Sequence, residues 1–170
     1  VVDPVLLSSS GACLAEEGLL DVLKTRLFPL ANLITPNVHE AAMLLGHDSP
    51  IDSIQSMRTA AMELHTLGPD NVLIKGGNLT GVPVASDVLF DGRTFTVFSK
   101  RFLENTDNSH GTGCTLASAI ASHLARGESM VGAIERGKEY VWRAMERSAG
   151  LDIGSGPQKP MNHFHELGDR

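Results

Sequence analysis

The chain has 170 residues, of which 42% are hydrophobic, and a formal net charge of −6. This length and composition predict one globular domain with a hydrophobic core. The acidic balance and the absence of any Lys/Arg block argue against nucleic-acid binding, and no apolar run approaches the ~20 residues of a membrane span. The two widely spaced cysteines, Cys13 and Cys114, are typical of a reducing compartment, so we expect a cytoplasmic protein.

The first residues already have the pattern of a buried strand. Val1-Val2-Asp3-Pro4-Val5 is apolar apart from Asp3, and the sequence does not begin with Met. We therefore expect residues 1–170 to be the C-terminal portion of a single longer domain whose amino-terminal part is missing. A targeting signal cannot be read from such a chain.

The following segments alternate between helical and strand patterns. Helices are predicted at residues 16–27, 37–45, 52–67, 112–126 and 129–148. Strands are predicted at residues 32–35, 72–75, 85–90 and 94–98. Pro29 is expected to end the first helix, and Asp91-Gly92 is expected to connect the last two strands as a hairpin. This order predicts an α/β domain with a mainly parallel sheet.

Small residues lead directly into the fourth predicted helix. The stretch 108–115 reads Asn-Ser-His-Gly-Thr-Gly-Cys-Thr. A Gly-x-Gly entry lets an anion approach the unpaired amides and the positive dipole end of a helix, so this turn predicts a phosphate site. Cys114 lies on the first turn, where the thiolate form is favoured and a nucleophile or base is conceivable. The alternative is that Cys114 is a small buried packing residue.

Two other segments carry charged residues at predicted strand ends. Asn37 and Glu40 have the spacing of a helix capping box. Asp3 follows a buried strand, and together with Glu40 it could hold Mg²⁺ through water while the metal contacts phosphates. Lys75 and Gly76 place a cation and a close-approach loop after another strand, although a solvated lysine is the plainer interpretation.

Three further motifs are weak. Residues 132–138 match the Gly-x4-Gly-Lys core of a P-loop, but Glu139 replaces the required Ser/Thr and the stretch lies within a helical pattern. A dinucleotide-binding fingerprint fails because Leu116 stands where its third glycine belongs. His163 and His165 resemble a metal pair without a third ligand at a convincing spacing.

Taken together, the motifs resemble hydroxymethylpyrimidine/phosphomethylpyrimidine kinase of thiamin biosynthesis, a branch of the ribokinase-like kinases. The matching stretches are Asp3-Pro4-Val5, residues 33–41, Lys75-Gly76-Gly77, residues 108–115 and residues 162–165. The resemblance extends along nearly the whole chain. It implies a three-layer ribokinase-like α/β fold and makes the two terminal histidines a family signature instead of a zinc site.

The resemblance also implies a reaction and a set of site residues. ATP and Mg²⁺ would be the cofactors, and the substrate would be 4-amino-5-hydroxymethyl-2-methylpyrimidine and then its monophosphate. The anion hole would comprise Gly111, Thr112, Gly113 and Cys114, with Cys114 activating the attacking hydroxyl. Phosphate, nucleotide and metal binding would involve Asn37, Glu40, Lys75, Gly76, Thr106 and His110, with Asp3 joining Glu40 at the metal.

Two alternatives remain open from the sequence. A pyridoxal-type kinase would share the ATP-binding half of this fold. If the substrate pocket depended on the missing part, the chain would bind nucleotide without catalysing phosphorylation. Ribokinase-like enzymes often dimerise, so a homodimer is a candidate assembly.

Overall fold

The computed structural model of the chain describes residues 1–6, 14, 16, 18–77, 79, 84–103, 108–151, 153–155 and 159–167. The chain divides into two compact units, Val1–Arg101 and Phe102–Arg170. None of the helices in these described ranges is long and apolar enough to cross a membrane.

The first helical region of unit 1 consists of three short pieces. A helix α1 at Leu19–Val22 continues as a π-helix at Leu23–Leu27 and a 3-10 helix at Phe28–Leu30. The prediction of one regular helix ended by Pro29 was wrong, because Pro29 lies inside the 3-10 turn. The N–H groups in the first turn of a helical segment have no acceptor within that segment. Proline, which has no N–H group, therefore costs no hydrogen bond at this position and does not interrupt the chain.

The amino-terminal segments of unit 1 align in parallel through single bridges. Ile34 bridges Val2 on one side and Val72 on the other. The Val2 amide donates to the Leu33 carbonyl at 2.8 Å, and the Thr35 amide donates to the Val2 carbonyl at 2.9 Å. The predicted strand around Ile34 is therefore an extended segment with parallel neighbours.

The regular strands of the described residues form an antiparallel sheet. Its order is β1 (Val72–Ile74), β2 (Val84–Phe90) and β3 (Phe95–Arg101). The predicted hairpin is confirmed, with Phe90 opposite Phe95 across the turn. Within the described ranges, the parallel pairing that the sequence predicts consists of single bridges. Strands β1 and β2 pair antiparallel because the connection between them, residues 75–83, is shorter than the dozen or so residues of a parallel crossover.

Two helices of unit 1 lie close to their predicted positions. Helix α2 spans Val38–Leu45 and helix α3 spans Ile54–His65. The side chain of Asn37 caps α2, and that of Ser53 caps α3. Helix α3 packs on β1 and β2, and α2 packs on α3, around one hydrophobic core. Fully buried members of this core include Leu44, Met57, Leu64, Val72, Ile74 and Val88.

Unit 2 is built on a pair of packed helices. Helix α4 spans Thr112–Ala125 and helix α5 spans Met130–Glu146, close to the predicted positions. At their contact, a Cβ atom added to Gly137 would lie 3.0 Å from Cγ1 of Ile120. The two helices thus approach closely because one of them has no side chain at this point.

Gly76 and Gly77 provide a matched test of the packing after β1. A Cβ atom on Gly76 would overlap the carbonyl oxygen of Ser86 and lie 2.9 Å from Cε of Met57, whereas one on Gly77 would have no neighbour within 4 Å. We expect Gly76→Ala to lower the free energy of unfolding by about 1–3 kcal/mol through overpacking. Gly77→Ala should stay within about 1 kcal/mol of the wild type. Urea unfolding would measure both, and equal stability of the two variants would contradict this packing.

Candidate active site

Unit 1 brings together five side chains from three separate segments of the chain. We call them the strand-end cluster: Asp3, Thr35, Asn37, Glu40 and Lys75. The two parallel bridges at Ile34 place the segments of Val2 and Val72 on either side of the Ile34 segment, so that all three run in the same direction. Another parallel bridge joins Asn37 to Lys75. Four of these residues are ones that the sequence pattern singles out, and the fold makes them neighbours.

Asp3 is the centre of the polar contacts in this cluster. Its Oδ1 atom accepts from Nζ of Lys75 at 2.7 Å and from Oγ1 of Thr35 at 2.8 Å. The side chains of Lys75 and Asp3 are only 13% and 12% exposed. Lys75 is therefore an ion-paired, largely buried cation, and the interpretation as a solvated lysine was wrong. Thr35 was missed because its spacing from Asp3 in the sequence gives no sign of the contact.

Asn37 and Glu40 form a complete capping box at the start of α2. Oδ1 of Asn37 accepts from the amides of His39 and Glu40, both at 2.9 Å. In return, Oε2 of Glu40 accepts from the Asn37 amide at 2.8 Å. The structural role predicted from the spacing is thus confirmed. The cap also fixes a buried carboxyl group beside Asp3 and Lys75, since Glu40 is only 3% exposed.

Burial raises the pKa of Glu40 above its ordinary value of 4.5. The hydrogen bond from the Asn37 amide and the charge of Lys75 lower this pKa, while the negative charge of Asp3 raises it further. Desolvation is the largest of these effects because a carboxylate loses its hydration when it is buried. The cluster therefore holds two carboxyl groups that feel each other's charge and share one neighbouring cation.

The donor set of the cluster suits a hard divalent cation that brings its own further ligands. No three His, Cys, Asp or Glu side chains within the described ranges come together as a metal site. Mg²⁺ usually needs only one or two protein carboxylates and completes its shell with water and phosphate oxygens. Asp3 and Glu40 fit that pattern through water. They do not fit a metal such as structural Zn²⁺, which requires four protein ligands.

Gly76 makes its close approach to the protein itself. Its amide donates to Oδ1 of the buried Asp87 at 3.0 Å, and the carbonyl of Ser86 lies where a side chain would be. The small residue after Lys75 is therefore required by packing against β2. The Gly76 amide already donates a hydrogen bond to Asp87. The role of Gly76 in nucleotide binding stays a prediction.

Unit 2 contains the turn that we call the anion turn, residues 110–114. Gly111 has φ +83°, in the left-handed region that favours glycine. The first helical bond of α4 runs from the Thr115 amide to the Gly111 carbonyl at 2.9 Å. The amides of Gly113 and Cys114 precede that bond, so helix geometry leaves them without an intrahelical acceptor.

Helix α4 begins without a side-chain cap, unlike the other long helices of the described residues. Asn37, Ser53 and Ser129 cap α2, α3 and α5 through their side chains, whereas Gly111 cannot do so. An uncapped helix start retains its unpaired amides and its positive dipole end for a ligand. The local geometry thus fits the phosphate site that the sequence predicts.

Cys114 lies on the first turn of α4 and is exposed. The alternative that it is a buried packing residue is therefore not supported by this chain. A cleft of ≈ 750 Å³ between α4 and α5 begins at Cys114 and Thr115 and extends past Tyr140. This volume lies within the range of small-molecule sites, so the thiol faces space that a ligand could occupy.

The remaining predicted residues have different outcomes. Thr106 lies outside the described residues. His110 is exposed, and its amide donates to the Lys159 carbonyl at 3.3 Å. His165 is buried, its ring lies 4.8 Å from that of Tyr140, and its Nδ1 contacts the Asn162 carbonyl at 3.0 Å. These contacts are those of a packing histidine, while the expectation that the terminal pair does not bind zinc stays a prediction.

Comparison with known proteins gives a family match along almost the entire chain. The model of phosphomethylpyrimidine kinase matches residues 1–162. The chain belongs to this kinase family. A chloroplastic thiamine biosynthetic bifunctional enzyme of Arabidopsis thaliana is 46% identical over 98% of this chain and 32% of that protein. A hydroxymethylpyrimidine/phosphomethylpyrimidine kinase of Synechococcus elongatus is 40% identical over 98% of this chain and 61% of that protein.

Solved structures of the family and its relatives share the fold. The Clostridium difficile phosphomethylpyrimidine kinase is 37% identical with a TM-score of 0.69, covering 84% of this chain and 55% of that one. The Staphylococcus aureus pyridoxal kinase in complex with AMP-PCP and pyridoxal is 30% identical with a TM-score of 0.82, covering 98% and 57%. These likenesses confirm the ribokinase-like α/β fold. The chain spans between about a third and three fifths of the curated relatives named above.

The buried Glu40 predicts a specific dependence of stability on pH. A raised carboxyl pKa in the folded state adds stability that is fully present below 4.5 and is lost as pH rises through the folded pKa. Glu40→Gln removes this titration but keeps an acceptor for the Asn37 amide. We expect the unfolding free energy of the wild type, relative to Glu40→Gln, to fall as pH rises from about 4.5 towards neutrality.

Urea unfolding of both proteins across this pH range would measure the difference. All other titrating groups are shared, so their contributions largely cancel in the comparison. If the unfolding free energies of the two proteins changed equally with pH, or if that of the wild type rose relative to Glu40→Gln as pH rises, the assignment of a raised pKa to Glu40 would be contradicted.

Proposed function

We propose that the protein transfers the γ-phosphoryl group of ATP to the hydroxymethyl group of 4-amino-5-hydroxymethyl-2-methylpyrimidine and then to the resulting monophosphate. The observation that carries this proposal is the family match over residues 1–162, which includes both the anion turn and the strand-end cluster. Relatives at 40–46% identity bear the name of this kinase or of a thiamine biosynthetic bifunctional enzyme.

The start of α4 would stabilise the charge of the transferring phosphoryl group. Phosphoryl transfer depends mainly on positioning and on electrostatic stabilisation, because the protein has little covalent chemistry to perform. The amides of Gly113 and Cys114 precede the first helical bond, and Gly111 allows an anion to come close to them. Fixed backbone donors of this kind need no reorganisation when charge develops.

Cys114 would accept or orient the proton of the attacking hydroxyl group. Its exposed position on the first turn of α4 gives a bound alcohol access to the thiol. As the hydroxyl oxygen forms its bond to the γ-phosphorus, the bond from that phosphorus to the β,γ-bridging oxygen would break and ADP would leave. The hydroxyl proton would pass to the sulfur of Cys114, which would later release it to solvent.

The strand-end cluster would serve the phosphate end of the nucleotide. Asp3 and Glu40 would hold Mg²⁺ through water, and the bound metal would offset charge on the phosphate oxygens. Lys75 is already paired with Asp3 at 2.7 Å, which fixes its ammonium group close to both carboxyl groups. Asn37 would keep α2 and Glu40 in place through its cap.

The sequence relatives favour the pyrimidine over pyridoxal as the substrate. Curated relatives at 40–47% identity are named for thiamine biosynthesis or for the pyrimidine kinase. The Staphylococcus aureus pyridoxal kinase structures are only 29–31% identical to the chain. The same fold in both groups means that the backbone alone does not separate the two substrates.

A substrate panel with the full-length protein tests this proposal. ATP consumption would be measured with the hydroxymethylpyrimidine, with its monophosphate and with pyridoxal, each with and without Mg²⁺. We expect the two pyrimidine compounds to give the highest kcat/KM values and Mg²⁺ to be required. Turnover of pyridoxal alone would overturn the proposed substrate, and ATP binding without any turnover would favour the non-catalytic alternative.

The role of Cys114 predicts a loss of kcat without a loss of nucleotide affinity. For Cys114→Ala in the full-length protein, we expect kcat to fall by about 10²-fold or more, which is typical for removal of a general base. The KM for ATP should change less than about threefold, because the turn amides belong to the backbone. Ala121→Ser, a similarly small change at an exposed residue about two turns further along α4 and outside the lining of the cleft, is the matched control. Unchanged kcat in Cys114→Ala would remove the proposed proton transfer.

A further inference from the structure

Asn108 is buried just before the anion turn and binds the C-terminal part of the chain. It is 8% exposed. Its Nδ2 group donates to the Pro160 carbonyl at 2.9 Å and to the Leu151 carbonyl at 3.3 Å. One side chain thus connects the turn to two points that lie 43 and 52 residues further along the sequence.

Backbone contacts continue this connection into the turn itself. The His110 amide donates to the Lys159 carbonyl at 3.3 Å, and His110 forms a parallel bridge with Pro160. The C-terminal segment from Lys159 onward therefore lies along the residues that precede Gly111. We call residues 159–162 the tail clamp.

The tail clamp is also attached to the end of α5. The Asn162 amide donates to Oγ of Ser148 at 2.8 Å and to the Ala144 carbonyl at 3.2 Å. Nδ2 of Asn162 donates to the Arg147 carbonyl at 3.2 Å. The clamp is therefore held at one end by α5 and holds the anion turn at the other.

The anion turn needs an attachment outside the helix because Gly111 makes no side-chain contact that would fix its conformation. Gly111 has no side chain to cap α4, and a Cβ atom placed on it would have no neighbour within 4 Å. Glycine also has the largest backbone entropy in the unfolded chain, so its left-handed conformation must be fixed by contacts elsewhere. The hydrogen bonds of Asn108 and His110 to Pro160 and Lys159 attach the residues before Gly111 to the tail clamp.

We propose that Asn108 is a positioning residue for the anion turn. Its amide fixes the residues that enter α4 against the tail clamp, and this holds the amides of Gly113 and Cys114 at the phosphoryl group. The inference rests on the proposed kinase function for its kinetic consequence, while the structural link can be measured without turnover.

Two asparagine variants of the full-length protein separate this role from general stability. Asn108→Ala removes the side-chain bond between the entry to the turn and the tail clamp. Asn162→Ala removes a side-chain bond of the same clamp to the Arg147 carbonyl, but keeps the two bonds of the Asn162 backbone amide to Ser148 and Ala144, so the clamp stays attached to α5. Amide hydrogen exchange would be followed at His110 and Thr115, whose amides donate to the Lys159 and Gly111 carbonyls. We expect Asn108→Ala to speed exchange at both amides at least tenfold and Asn162→Ala to change them less than threefold.

Kinetics of the same variants test the catalytic consequence. Since a small misplacement of catalytic groups costs up to about 10²-fold, we expect Asn108→Ala to lower kcat about 10- to 100-fold with a KM for ATP within threefold. Asn162→Ala should retain kcat within about threefold. Asn108→Leu, which keeps the branched shape but has no hydrogen-bond donor and adds no charge, should behave like Asn108→Ala, and it fills the buried site if alanine is not tolerated.

The outcomes distinguish this inference from the proposed function. Unchanged exchange at His110 and Thr115 in both Asn108 variants would overturn the inference whether or not the protein is a kinase. Faster exchange with unchanged kcat in an active enzyme would also overturn it. If the wild type shows no kinase activity, the proposed function fails, and the exchange data still decide whether Asn108 holds the turn.

Discussion

The uncapped start of α4 is the constraint on which the proposed phosphate site depends. A helix normally satisfies its first amides with a side-chain oxygen, as Asn37, Ser53 and Ser129 do here for three other helices. At α4, Gly111 provides no such oxygen. The amides therefore remain available for an anion, and the helix forgoes the stabilisation of a cap, typically about 1 kcal/mol. The turn must then be held by contacts outside the helix.

Unit 2 supplies those contacts through its C-terminal segment. The tail clamp binds Asn108 and His110 at one end and the last turns of α5 at the other. The two helices pack closely where Gly137 meets Ile120. The position of the anion turn is thus linked to the packed pair of helices by a segment that is remote in sequence.

In unit 1, unlike at the start of α4, the helix cap is itself part of the proposed site: Asn37 and Glu40 both cap α2 and belong to the strand-end cluster. Glu40 closes the capping box of α2 and lies buried beside the charges of Asp3 and Lys75. Removing one partner of such a pair leaves an uncompensated charge in a poorly solvated place. The cluster is therefore sensitive to substitution even where a residue contacts no ligand, and stability must be measured together with activity.

The sequence predicted those elements whose signals are local. The capping box gave the start of α2, and Asp91-Gly92 marked the hairpin between β2 and β3, because cap and turn geometries involve neighbouring residues only. The first helical region was predicted less well. Leucine spacing indicates a helical face but does not distinguish α, π and 3-10 hydrogen bonding, and the effect of Pro29 depended on where the turn began.

The sequence by itself determined the family, the fold class and most of the residues proposed for the site, because motifs of small, acidic and capping residues are readable without contacts. Only the tertiary structure decided that Lys75 pairs with Asp3, that Thr35 joins them, and that Asn108 binds the tail clamp. Those contacts join residues separated by 32 to 72 positions. No local pattern encodes such a contact, since it arises only when packing and strand alignment bring distant segments within hydrogen-bonding distance.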